Sequence, residues 1–150
     1  MYHEKIITIL AAIAALIPAI SEAKANGCPS QNFPTFLKAY RNNLDIQKAF
    51  TVIPLKFNNF HPSFGEKPDV SYLTAADLYE VEPSEAQFPI FNNAQGLEAE
   101  GVKLSMKKQS SRWYSVQTGG MEGTGANTYD FDFKKLNGCW RLVEITDFST

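Results

Sequence analysis

Hydrophobic positions along the chain follow two periods, a helical one near the beginning and a stranded one near the end. Phe33, Phe36, Leu37, Tyr40 and Leu44 recur at the spacing of one helix face, so Pro34 to Asn43 is expected to be an amphipathic helix. Pro34 suits a first helical turn, where its missing N–H costs no helical bond, and Asn42-Asn43 weakens the helix at its end. Ala49 to Phe57 (AFTVIPLKF) then reads as a strand with Ile53, Leu55 and Phe57 on one face. Pro54, which has no N–H to donate, places that strand at a sheet edge or bulge. Asn58 to Tyr72 is a Pro- and Gly-containing loop whose Phe60, Phe64 and Tyr72 are expected to pack down. Thr74 followed by Asp77 resembles a capping box opening a short helix, and Asn93 to Glu100 is a further helical turn ending at Gly101.

Period two governs the rest. The expected strands are Val102 to Met106, Arg112 to Thr118, Thr128 to Lys135 and Trp140 to Phe148. Tyr129, Phe131 and Phe133 alternate with Asp130, Asp132 and Lys134, as on a strand with one buried and one solvated face. Asn137-Gly138, between Leu136 and Cys139, is a strong hairpin turn. Helices followed by an antiparallel sheet make the fold class α+β.

The first 25 residues stand apart from this pattern. Lys5 precedes an apolar run from Ile6 to Leu16, and Ala23-Lys24-Ala25 offers the small-residue site that signal peptidase accepts. A membrane span needs about 20 apolar residues, whereas Ile6 to Ile20 supplies 15 and contains Pro18. Residues 1–25 are therefore expected to be a signal peptide, and 26–150 a single α+β domain that is periplasmic or secreted, with no stable membrane span. Cys28 follows Gly27, which raises a lipid anchor as an alternative. Glu22 and Lys24, however, separate it from the apolar run, and Ala25 stands where a lipidation signal carries Leu.

Removing the signal leaves about 125 residues, enough for one core. The formal charge is −2 over the full chain and unchanged after cleavage, because the signal holds two cations and two anions. Nucleic-acid partners call for clustered Lys and Arg. Lys103, Lys107, Lys108 and Arg112 are offset by Glu98 and Glu100, so no nucleic acid is expected. In an oxidising compartment the pair Cys28 and Cys139 is expected to form a disulfide, stabilising by about 2–4 kcal/mol; two buried thiols are the alternative. No Cys-x-x-Cys unit or Cys/His cluster is present, so no metal or cofactor is expected.

Two segments carry a family resemblance. Phe33, Phe36, Leu37 and Tyr40, followed by Gln47 and the Pro54-Leu55 strand, form the first. The second is the ending Gly138-Cys139-Trp140-Arg141-Leu142-Val143-Glu144-Ile145-Thr146-Asp147. Together they resemble small exported bacterial members of the nuclear transport factor 2-like (cystatin-like α+β) superfamily. The resemblance implies a cone of curved antiparallel sheet wrapped on the amino-terminal helix and open at one end. Some relatives catalyse there, as ketosteroid isomerase-like enzymes do, and many only bind or dimerise.

No catalytic set is complete in the sequence. An isomerase-like site needs a carboxylate or His base facing a donor such as Tyr. Asp130 and Asp132 are expected to point away from the aromatic face, and His61, the only histidine after cleavage, stands in a turn-like loop. Gly119, Gly120, Gly123 and Gly125 lack the Lys and Ser/Thr of a phosphate loop and join two strands. The expectation is an exported, non-enzymatic domain that binds a protein partner or a small apolar ligand. An inhibitor or immunity protein is its sharpest form, and homodimerisation belongs to the same class. Tyr72, Phe88, Tyr114 and Tyr129 are the candidate ligand-binding residues. The alternative is a small ketosteroid isomerase-like enzyme with a carboxylate base in the cone.

Overall fold

The computed structural model describes residues 27–60, 67–80, 103–119 and 128–148. Helix α1 (Phe33–Asn42) starts at Asn32, whose side chain accepts from the Thr35 backbone at 3.1 Å, with Pro34 in the first turn as expected. It ends at Asn43, which then caps a second helix that the sequence reading missed, α2 (Leu44–Phe50). The Asn43 side chain accepts from the amides of Asp45 and Ile46 at 2.9 and 3.1 Å.

Strand β1 (Thr51–Asn59) follows without a break, so Ala49 and Phe50 belong to helix and not to the expected strand. Its pairing with the last strand shifts register between Thr51 and Lys56, which places Pro54 in a bulge as expected. The Ile53–Pro54 peptide bond is cis. Because of the bulge, Ile53 is exposed while Leu55 is fully buried and Phe57 packs on the core, which corrects the expectation that all three share one buried face. The segment after β1, expected to be loop as far as Tyr72, contains a strand, β2 (Asp69–Leu73). Tyr72 is exposed and does not pack down, whereas Phe60, though also exposed, meets the Phe148 ring with centroids 5.6 Å apart; Phe64 lies outside the described residues.

A complete capping box opens α3 (Ala75–Tyr79). The Asp77 carboxylate accepts from the Thr74 backbone at 2.6 Å and the Thr74 hydroxyl accepts from the Asp77 amide. The sheet is completed by β3 (Lys103–Ser110), β4 (Trp113–Gly119), β5 (Tyr129–Leu136) and β6 (Cys139–Asp147). The expected helical turn from Asn93 to Glu100 falls outside the described residues. The β5–β6 turn has positive φ at both Asn137 (50°) and Gly138 (81°), the requirement of the primed hairpin turn that Asn-Gly favours.

The six strands run in the order β2-β1-β6-β5-β4-β3. Neighbours are antiparallel except β1 and β6, which are parallel, so the sheet is mixed where an antiparallel one was expected. The reason is topological: β1 leaves the helices and lies beside the final strand, so the two ends of the domain run the same way. One sheet face, the inner one, packs against α1. Phe33 stacks on Tyr114 (centroids 4.2 Å apart, planes at 15°) and meets the edges of Trp140 and Phe133. Phe36 and Tyr40 also close on Phe133.

Cys28 and Cys139 are disulfide-bonded with Cα atoms 5.4 Å apart. The same junction is held by Gln31, whose side chain donates to the Gly138 carbonyl at 3.0 Å. Its own carbonyl accepts from the Trp140 indole, also at 3.0 Å. Among the described residues no helix is long and apolar enough to cross a membrane.

Candidate functional site

Directly paired residues in a sheet share a face, so the register assigns each side chain to the inner or the outer side. On the inner face the row nearest the end of β6 is polar from β2 to β4, where Asp69, Asn59, Asp147, Tyr129 and Thr118 lie side by side across five strands, and ends at the apolar Leu104 on β3. The next row is apolar from β1 to β3, with Phe57, Ile145, Phe131, Val116 and Met106, and carries Ser71 on β2. Tyr129 and Thr118 are buried, Asn59 and Asp147 half-buried, and Asp69 exposed. Thr118 is fixed by its neighbour: its hydroxyl accepts from the Tyr129 backbone amide at 2.9 Å. The Asp147 carbonyl accepts from the Phe60 amide at 2.8 Å, which ties the end of β1 to the end of β6.

The helices lie over the opposite end of this face, where Tyr114, Phe133 and Trp140 meet Phe33. In the apolar row Val116, Phe131 and Ile145 are fully buried in the core, so what this row exposes beside the polar groups is Met106 and part of Phe57. Apolar area of that kind supplies affinity in a small-molecule site, and polar groups fix orientation. Asp147 opposite Tyr129 also sets a carboxylate beside a phenol on one face.

The architecture resembles solved structures. A nuclear transport factor 2-like protein from Bacteroides fragilis superposes with a TM-score of 0.53 at 15% identity, covering 79% of this chain and 47% of that one. The fold is nuclear transport factor 2-like. This chain thus spans about half the length of the Bacteroides fragilis protein. A cystatin-like protein from Bacteroides caccae is similar over 79% of this chain and 78% of its own, at 14% identity and a TM-score of 0.46. No protein-family model and no curated protein matches the chain.

Within this nuclear transport factor 2-like sheet the four candidate binding residues part company. Tyr129 stands in the polar row. Tyr114 shares its face, opposite Phe133 and two rows away, but its ring is covered by Phe33. Tyr72 pairs with Lys56, whose ammonium meets Glu144 at 3.2 Å on the outer face, so Tyr72 is on the other side of the sheet and 62% exposed. Phe88 lies outside the described residues, as do His61 and most of the glycine-rich segment. Asp130 and Asp132 point outward as expected. Asp132 accepts from the Trp113 indole at 3.0 Å, and burial, followed by the adjacent charge of Asp132, raises the Asp130 pKa above its usual 3.8. Among the described residues no group of three His, Cys, Asp or Glu is arranged to hold a metal ion.

Two features escaped the sequence reading. The period of two that puts Ile145 inward also puts Asp147 inward, so that signal was present. The other is a buried polar junction at the start of β1. The Thr51 hydroxyl donates to the Gln47 carbonyl at 2.7 Å and meets the Tyr40 hydroxyl at 2.7 Å and the Tyr79 hydroxyl at 2.8 Å. Burial, with Tyr79 as the second cause, holds the Tyr40 hydroxyl well above its ordinary pKa, so it stays a neutral hydrogen-bonding group. This junction pins α1, α2, β1 and α3 to one another.

Proposed function

We propose that the protein is an exported, non-enzymatic binding domain that holds a small apolar ligand on the inner face of its sheet. The observation supporting this reading is the juxtaposition of the Asp69–Asn59–Asp147–Tyr129–Thr118 row with the apolar row beside it. The ligand is then an apolar body carrying a hydrogen-bond donor for Asp147. Export follows from the amino-terminal signal pattern, and a disulfide-bonded domain is compatible with it. Equilibrium binding of the neutral amine probe N-phenyl-naphthylamine tests the site. Saturable binding is expected, weakened by Met106→Lys in the apolar row and by Asp147→Ala in the polar row. Met106 is exposed, so its replacement leaves the core intact. An absence of saturable binding, or affinity unchanged in both variants, rejects the site.

One observation favours a second reading, a ketosteroid isomerase-like enzyme. Asp147 and Tyr129 stand side by side on one face, a carboxylate and a phenol within reach of the same substrate. That reading requires turnover of an unsaturated keto-steroid that Asp147→Asn abolishes while probe affinity is kept. Binding without turnover leaves the first reading alone.

A further inference from the structure

Charge is unevenly placed in the folded chain, although its formal total is −2. Strand β5 carries the carboxylates Asp130 and Asp132 first, and Lys134 and Lys135 last. Register sets Trp113, at the start of β4, opposite Lys134, and sets Lys107 and Lys108 opposite the next two residues of β4. Arg112, in the β3–β4 turn, is bonded to Lys135. Its carbonyl accepts from the Lys135 amide at 2.9 Å and its guanidinium donates to the Lys135 carbonyl at 3.1 Å. Five cations from β3, the turn and β5 thus gather at one end of the sheet. None of them is ion-paired with a described residue. The carboxylates in the row of Lys107 are already engaged, Asp132 by the Trp113 indole and Glu144 by Lys56. Glu98 and Glu100 precede Lys103, at the other end of β3 in sequence, and lie outside the described residues.

Two apolar side chains accompany this charge on the outer side of the sheet. Trp113 and Leu136 are each 37% exposed, and the Lys134 ammonium lies 5.2 Å from the centroid of the Trp113 ring. An indole among lysine and arginine heads suits the headgroup region of an anionic bilayer, where Trp sits at the interface and cations meet lipid phosphates. The chain also enters the domain here. The Cys28–Cys139 bond and the Gln31 contact to Gly138 fix the segment before α1 to the adjoining β5–β6 turn. In sequence, the apolar Ile6–Leu16 run of the expected signal precedes that segment. Before cleavage, the signal and the basic end would address the same bilayer.

We propose that this end of the sheet rests on the surface of an anionic lipid bilayer, with the five cations toward the phosphates and Trp113 at the interface. The contact is peripheral and requires no membrane span. It lies at the opposite end of the strands from the polar row of the inner face, so it stands whether or not that row binds a ligand.

Co-sedimentation with unilamellar vesicles tests this, using the protein with its Cys28–Cys139 bond intact. Binding is expected to equimolar phosphatidylglycerol and phosphatidylcholine, and not to phosphatidylcholine alone. It should fall steeply between about 0.1 M and 1 M salt, as the screening length shrinks from about 10 Å to about 3 Å. Lys107→Gln and Lys134→Gln should each weaken it about fivefold, equivalent to about 1 kcal/mol for a cation at an anionic surface. Lys67→Gln changes the net charge equally but sits before β2, at the other edge of the sheet, and should leave affinity unchanged. All three lysines are exposed, so the variants retain the fold, which circular dichroism verifies. Trp113 emission should move to the blue on binding, and Trp113→Phe should abolish that change, because Trp140 is buried. No binding to the anionic vesicles, equal binding to both vesicle types, or the same affinity in Lys107→Gln, Lys134→Gln and Lys67→Gln overturns the proposal. Tight binding of soluble polyphosphate with no vesicle-induced change at Trp113 also overturns it, and would assign this end to a soluble polyanion.

Discussion

The Asp130 carboxylate is half-buried on the outer face with Asp132 two residues along the strand, and burial first and that charge second raise its pKa above 3.8. Its Oδ1 is buried with no hydrogen-bond partner in the structure, while Gln117 on β4 and the more distant Lys107 give partial relief. A raised folded-state pKa means that the folded state binds this proton more tightly than the unfolded one. The cost to stability appears as pH rises from 3.8 through the raised value and is constant above it. Asp130→Asn is therefore expected to raise the melting temperature at neutral pH, with the gain disappearing as pH falls below 3.8. Thermal melts of both proteins across the acid range check this; a gain that persists in acid, or no gain at neutrality, contradicts a cost that arises from the buried charge. The outward direction of Asp130 was legible from the alternation of Tyr129, Phe131 and Phe133. The Thr51 junction was not, because its partners Tyr40, Gln47 and Tyr79 come from three helices and meet only after those helices have docked.

At the scale of elements, legibility followed local signals. The β5–β6 hairpin carries its information in two residues, Asn137 and Gly138, whose positive φ values the turn requires. A Cβ built on Gly138 meets nothing within 4 Å, so Gly138→Ala isolates the backbone cost of that conformation. The expected loss is about 1–2 kcal/mol in urea unfolding, the penalty of a left-handed conformation for a residue with a Cβ. A neutral result would mean that the turn relaxes, and would also free the Gly138 carbonyl from Gln31. Helix α2 was hidden because its last two residues, Ala49 and Phe50, run directly into the β-branched Thr51-Val52-Ile53 and share its strand composition. Its boundary is set by tertiary contacts, since Arg141 on β6 donates to the Ala49 carbonyl at 3.0 Å and lies over the Phe50 ring. Strand β2 was hidden for the opposite reason. Its Val70 and Tyr72 lie on the exposed side, and of its residues facing inward only Leu73 packs on the core, so no buried alternation marks it.

For the whole molecule, the bond between Cys28 and Cys139 bears on the fold and on the export proposed above. It joins residues separated by 111 positions, fixing the segment before α1 to the beginning of the last strand. Gln31 and Trp140 repeat that attachment with hydrogen bonds, so Cys28 is held at the β5–β6 turn by more than its own sulfur. A cysteine in a disulfide has no thiol left to carry a lipid thioether. The anchored alternative and the observed pairing therefore exclude each other in one molecule. Cleavage after Ala25, the expected site, would lie two residues short of the position that a lipidated Cys28 at the amino terminus needs. Intact mass of the protein recovered from the periplasm or medium of a producing cell is expected to match a chain beginning at Asn26, two hydrogens lighter than the reduced form. Reduction should restore those hydrogens and lower the denaturant midpoint, by an amount corresponding to about 2–4 kcal/mol of lost stability. A mass that begins at Cys28 with a lipid attached would instead break the Cys139 pairing and move the domain to a membrane surface. An uncleaved chain with both thiols reduced would remove the basis for export altogether.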